Sequence, residues 1–160
     1  MGSGKTTLGR KLANKLDYDF IDLDELIEEQ EKLGISEIFS KQGEDSFRKT
    51  ENRILNETLT TKKNIVLSVG GGTPCYFNNM ELINKQATSI YLKYNVGMLF
   101  SRLISAKTKR PLIAKKSDEE LKDFIQKTLL EREEFYNKSN IIVAGNNITT
   151  ELILHQLDLK

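Results

Sequence analysis

Met1-Gly2-Ser3-Gly4-Lys5-Thr6-Thr7-Leu8-Gly9-Arg10 opens the chain, and its first seven residues hold the back half of a phosphate-binding loop. Glycines let a backbone wrap closely around a phosphate, and the amides that start a helix point at it with the positive end of the helix dipole. In such a loop Lys5 reaches the outer phosphates of a nucleotide and the Thr6 hydroxyl holds Mg2+. The complete pattern has a further glycine five positions before Gly4 and a β-strand leading into it, and both would lie upstream of Met1. A glycine-rich start to an amphipathic helix is the plainer reading, so the downstream residues must decide. Leu8, Leu12 and Leu16 recur at four-residue spacing and predict a helix over 5–16 with one buried stripe.

Outward from this loop, strands and helices alternate. Phe20, Ile21 and Leu23 predict a strand over 18–23, and the polar stretch 24–33 a helix stopped by Gly34. Ser36 is placed to cap a brief helix ending near Gly43. Phe47, Ile54 and Leu55 mark one face of a helix over 44–59. The continuous apolar run Ile65-Val66-Leu67-Ser68-Val69 reads as a buried parallel strand. A helix over 78–86, a strand over 88–93 and a helix from Val96 to 105 or 106 follow. Residues 106–116 crowd Lys107, Lys109, Arg110, Lys115 and Lys116 around Pro111 and read as a mobile basic loop. Ser117 with Glu120 forms a capping box for a helix to about 137. A strand over 141–143, a Gly145-Asn146-Asn147 turn and a helix over 149–157 close the chain. Alternation of this kind implies an α/β fold, a parallel sheet flanked by helices in one domain.

Composition bounds the class. The chain has 160 residues, 38% of them hydrophobic and 29% charged, and a formal charge of +1, which suits one ordinary globular domain. So small a net charge argues against nucleic acid as a partner. No apolar run approaches the ~20 residues of a membrane helix, and no signal-peptide core opens the chain. The lone Cys75 fits a reducing cytoplasm. One cysteine and one histidine (His155, near the end) argue strongly against a zinc site.

The candidate site residues cluster at strand ends, where open α/β sheets place their ligands. Asp22 and Asp24 flank Leu23 at such an end. One carboxylate can anchor metal-bound water while the other holds a substrate hydroxyl and accepts its proton. Equally, Asp24 can be a helix N-cap and Asp22 a surface acid. Gly70, Gly71 and Gly72 follow an apolar strand, and their amides either line the crevice or form a plain tight turn. Only six of the basic residues are arginine, whose planar fork suits carboxylates and phosphates better than an ammonium does. Arg48, Arg110 and Arg132 are candidates. Arg10, Arg53 and Arg102 read as surface charges.

Together these residues resemble the shikimate kinase family, in the nucleoside-monophosphate-kinase branch of P-loop folds. The resemblance covers essentially the whole chain. It runs through residues 1–10, Phe-Ile-Asp-Leu-Asp at 20–24, Gly-Glu-x-x-Phe-Arg-x-x-Glu at 43–51, Gly-Gly-Gly at 70–72, Arg-Pro-Leu at 110–112 and Arg-x-x-x-Tyr at 132–136. It implies a three-layer α/β/α kinase using ATP and Mg2+ to phosphorylate shikimate as a cytoplasmic monomer. Gly2, Ser3, Gly4, Lys5, Thr6 and Thr7 would bind ATP, with Thr6 on the metal and Asp22 holding it through water. Asp24 would bind the substrate hydroxyls and act as base. Arg48 and Arg132 would grip its carboxylate, beside the amides of Gly70, Gly71 and Gly72, and Glu51 would orient Arg48. Arg110 would swing in with a lid over 106–116 to meet the ATP phosphates. Departures from the family are the absent first strand and first loop glycine, with Met1 standing where relatives carry an internal methionine. The family's first strand is central, so the expected sheet lacks its middle and the chain is expected to be poorly stable and weakly active. A gluconate-type kinase and an inactive nucleotide-binding product are the alternatives.

Overall fold

The computed structural model describes residues 2–105 and 116–158, which fall into two compact units. The expected basic lid, with Arg110, lies outside the described residues apart from Lys116.

Residues 5–89 make one unit. Helix α1 (Lys5–Leu16) buries Leu12 and Ala13 and packs on strands β1 (Asp19–Asp22) and β2 (Ile65–Ser68). The close approach depends on Gly9, where a Cβ would come 2.7 Å from the Phe20 ring. Strands β1 and β2 pair in parallel, Asp19 opposite Ile65 and Asp22 opposite Ser68. Helix α2 (Leu23–Glu31) starts at once after β1, helix α3 (Ile35–Thr61) follows, and α4 (Asn79–Gln86) closes the unit after a 3-10 turn, Thr73–Cys75. Leu23, Ile27, Ile38, Phe47, Ile54, Leu55 and Ile83 form its core.

Three expectations are corrected here. Leu23 belongs to α2, not to the strand, because Asp22 caps the helix one residue earlier. Helix α2 ends at Glu31 with Lys32 in the left-handed region (φ 56°), so Gly34 does not stop it; Gly34, rather than Ser36, is the N-cap residue of α3. The break expected near Gly43 is present, two helices of the α3 span meeting there at φ 80°, a conformation glycine tolerates best.

Residues 2–4 and 90–158 make the other unit. Strands β3 (Ile90–Lys93) and β4 (Ile141–Ala144) pair in parallel, and α5 (Val96–Ile104), α6 (Asp118–Tyr136) and α7 (Thr150–Gln156) complete it. Helix α6 starts with the full reciprocal capping box of Ser117 and Glu120. Asn95 and Thr149 cap α5 and α7 through their side chains.

Each sheet has two strands, so β2 and β3 each carry one ladder among the described residues. This explains a further correction. Ile65, Val66 and Leu67, expected to be fully buried, are half-buried, because a strand laddered on one side lacks a second neighbour to cover it. A two-stranded sheet is marginal without further cover. The 160-residue chain is therefore expected to unfold below about 50 °C, toward the low end of mesophile domains, when followed by circular dichroism. One sharp transition well above that temperature would contradict this.

Candidate active site

The sequence Gly2-Ser3-Gly4 reaches α1 through two left-handed glycines, Gly2 at φ 74° and Gly4 at φ 77°. At Gly2 a Cβ would meet Leu103 at 2.9 Å. Arg102, expected to be a free surface charge, is held instead. Its Nη1 donates to the Ser3 carbonyl at 3.1 Å and its guanidinium lies 4.1 Å from the Tyr94 ring centroid. By contrast Arg10 and Arg53 are exposed, and each pairs with surface glutamates.

At the start of α1, Thr6 Oγ1 donates to Asp22 Oδ2 at 3.1 Å. The other Asp22 oxygen accepts the backbone N–H of Asp24. Asp22, not Asp24, is thus the helix cap, and it does so while keeping one oxygen toward Thr6. A hydroxyl and a carboxylate oxygen side by side are a hard donor pair that fits Mg2+. Among the described residues no group of three or more His, Cys, Asp or Glu gathers there, so a cation would depend largely on nucleotide oxygens and water to complete its shell.

Asp24 is freed from capping and half-buried. Burial pushes its carboxyl above the usual range, with the charges of Asp22, Glu51 and Glu28 adding to the effect and Lys5 opposing it. The cause and the position suit a proton acceptor.

Arg48 is anchored by two carboxylates and two aromatic rings. Its Nη1 donates to Glu51 Oε2 at 2.9 Å, and Nε and Nη2 both donate to Glu44 Oε1 at 3.3 and 3.1 Å. Its guanidinium stacks 4.2 Å from the Tyr76 ring centroid and 5.1 Å from that of Phe47. Burial by itself would lower its pKa, yet the hydrogen bond and charge of Glu51, with Glu44, raise it and keep it cationic. These bonds use three of its five N–H groups, so two terminal donors remain for a ligand.

The glycines explain how these groups come together. None of Gly70, Gly71 and Gly72 has positive φ, so a tight turn alone does not require them. Room does at two of the three. A Cβ on Gly70 would lie 3.0 Å from Thr73 Oγ1, 3.2 Å from Asp24 Oδ1 and 3.5 Å from Glu51 Oε1; one on Gly72 would lie 2.8 Å from Arg48 Nη2. Lys5, Thr6, Asp22, Asp24, Arg48 and the three glycines thus belong to one unit, with Asp24 and Arg48 both packed on the glycine segment. Arg132 stands near the end of α6, in the other unit. Three contributors were not singled out from sequence. Glu44 and Tyr76 brace Arg48, and Thr73 donates to Glu51 at 2.6 Å. Glu44 lies one helical turn before Arg48, an i,i+4 spacing that is local, whereas Thr73 and Tyr76 meet their partners across the fold.

The fold is that of P-loop kinases, a mixture of helices and parallel strands in a three-layer α/β arrangement. The family profile described as shikimate kinase matches residues 1–158. The shikimate kinase of Azobacteroides pseudotrichonymphae is 46% identical over 157 residues, covering 98% of this chain and 92% of that protein. That of Bacteroides fragilis is 45% identical over 148 residues, covering 92% and 82%. A crystal structure of shikimate kinase from Bacteroides thetaiotaomicron superposes with a TM-score of 0.94 at 38% identity, covering 99% of this chain and 94% of that one. Shikimate kinase from Acinetobacter baumannii, in complex with shikimate, gives 0.83 at 30% identity, covering 98% and 86%. The chain belongs to the shikimate kinase family, whose members are ATP-dependent phosphotransferases. None of these relatives favours the gluconate alternative.

The raised Asp24 pKa yields a signed prediction. The folded state holds its proton more tightly than the unfolded chain does, so stability declines as pH rises from the unfolded value through the raised one. Where Asp24 is ionised, its charge is a cost to folding. Asp24→Asn is expected to lower turnover by about 10²-fold or more while melting at or above the wild-type temperature at pH 7. A lower melting temperature would contradict the burial argument.

Proposed function

We propose that this chain transfers the γ-phosphoryl group of ATP to the 3-hydroxyl of shikimate, giving shikimate 3-phosphate and ADP. One observation carries the reading. A half-buried carboxylate with a raised pKa, Asp24, and a braced guanidinium with two spare donors, Arg48, pack against the same glycine segment. A substrate that offers a hydroxyl to one and a carboxylate to the other answers both. In this reading Asp24 orients the hydroxyl and accepts its proton as the oxygen attacks the γ-phosphorus and ADP departs. Arg48, with Arg132, grips the carboxylate, and the amides of Gly70, Gly71 and Gly72 line that pocket. The amides from Gly2 to Thr7 cradle the ATP phosphates. Lys5 and Arg110 offset charge on the transferring group, where most phosphoryl-transfer catalysis lies. Mg2+, held by Thr6 and through water by Asp22, would neutralise phosphate charge when bound.

The two units would act as one kinase domain over 1–160, with 106–116 as a lid that excludes water. The small net charge favours small-molecule partners over nucleic acid, the lone Cys75 fits a cytoplasmic setting, and a monomer is part of the same reading. Among the described residues no helix is long and apolar enough to cross a membrane.

The test is ATP- and Mg2+-dependent ADP release with shikimate and with gluconate in parallel, the product identified by phosphorus NMR. Turnover on shikimate alone is expected, with phosphate on the 3-oxygen. Lys5→Met should lower kcat/KM by about 10²–10³-fold, as loss of a transition-state charge partner does. Turnover on gluconate alone would overturn the assignment. A folded chain that binds ATP and turns over neither acceptor would point to the inactive nucleotide-binding alternative.

A further inference from the structure

Glu51 is fully buried, yet it carries a carboxylate. A buried carboxylate must have its oxygens met by donors, and here each oxygen has one. Arg48 Nη1 reaches Oε2 at 2.9 Å, and Thr73 Oγ1 reaches Oε1 at 2.6 Å. Thr73 is itself fully buried and fixed on both sides. Its N–H donates to the Gly70 carbonyl at 3.1 Å, and its own carbonyl accepts from Asn79 Nδ2 at 2.8 Å. Asn79, also fully buried, accepts in turn from Asn52 Nδ2 at 2.7 Å. The chain of bonds from Asn52 to Arg48 is continuous, and its middle members Asn79, Thr73 and Glu51 are fully buried.

We propose that Thr73 is a positioning residue for substrate recognition, holding Glu51 so that Glu51 in turn aims the Arg48 fork at a substrate carboxylate. The inference rests on the reading of Arg48 as the carboxylate grip. Arg48 has two restraining carboxylates of different kinds. Glu44 is half-exposed, with 52% of its side chain open to solvent, so its hold yields readily to an arriving anion. Glu51 has no such freedom, and the angle at which it presents Oε2 fixes the plane of the guanidinium. Without the Thr73 hydroxyl, Oε1 has no donor among the described residues. The carboxylate then turns to share Arg48 between both oxygens, which draws a terminal N–H away from the ligand.

Thr73→Val removes the hydroxyl at almost constant volume, and Thr73→Ser keeps it. Calorimetric titration of shikimate, and separately of ATP, into the 160-residue chain at 15 °C compares them. Thr73→Val is expected to weaken shikimate about five- to twenty-fold, between the worth of an ordinary hydrogen bond and the low end of one to a charged group. Its ATP affinity should stay within about two-fold, a margin far below the loss of one such bond. Thr73→Ser should match the wild type for both ligands. Thr73→Ala carries the same expectation as Thr73→Val should the valine variant fold poorly. Weakening in the serine variant with none in the valine variant would make the methyl packing responsible and overturn the inference, and equal weakening in both would mark a general disturbance of the site and overturn it too. So would equal weakening of shikimate and ATP, the mark of a general structural loss. Arg48→Lys separates the two levels. Weakened shikimate in Arg48→Lys with none in Thr73→Val overturns the role of Thr73 and leaves the carboxylate grip standing, whereas no weakening in either overturns both.

Discussion

A buried negative charge on Glu51 is the constraint around which the site is arranged. Removing a carboxylate from water is expensive, and breaking such a pair by deleting one partner costs about 3–5 kcal/mol. The carboxylate is therefore tolerated only where its partners are fixed. Arg48 arrives one helical turn earlier on α3, and Thr73 arrives from the segment after β2. Helix α3 and the glycine segment are thereby tied together, and the absence of side chains at Gly70 and Gly72 follows from the space those partners occupy. The same burial leaves Arg48 cationic but incompletely used, which is the condition for a ligand-binding guanidinium rather than a purely structural one.

Asp22 and Asp24 show how two identical side chains two residues apart acquire different work. Asp22 caps α2 and faces Thr6, so its charge is spread over donors on both sides. Asp24 has no cap to make, sits in the first turn of the helix and meets burial and several like charges. Its raised affinity for a proton is therefore a consequence of where the helix begins. Had Asp24 been the cap, one of its oxygens would have been engaged by the backbone, as one of Asp22's is. In the proposed role as proton acceptor, folding and function would pull in opposite directions at this residue, as they commonly do at sites built to handle a proton.

Local rules carried the sequence reading where the determinants are local. The capping box of Ser117 and Glu120 and the break at Gly43 are set by a few neighbouring residues, and both are where the sequence indicates. Around Gly34 the signals compete, since a glycine can stop one helix or begin the next and Ser36 is also a good cap. The left-handed Lys32 resolved that competition, and no sequence rule foretells a lysine there. Burial of β2 was overestimated for another reason. Apolar content reports what a strand can bury, while actual burial depends on how many neighbours it has. In the site, glycines, aspartates and Arg48 stood out because their types and order form recognisable motifs. Thr73, Tyr76 and Arg102 did not, because an ordinary residue becomes important only through a partner more than twenty residues away.

The central claim is that Arg48, braced by buried Glu51, recognises a carboxylate. Titrating shikimate and its methyl ester into the chain under identical conditions tests it most directly, since the ester keeps the ring and every hydroxyl and loses only the charge. The acid is expected to bind at least about tenfold more tightly, the equivalent of one charge-assisted hydrogen bond. An ester that binds as well as the acid would contradict the account.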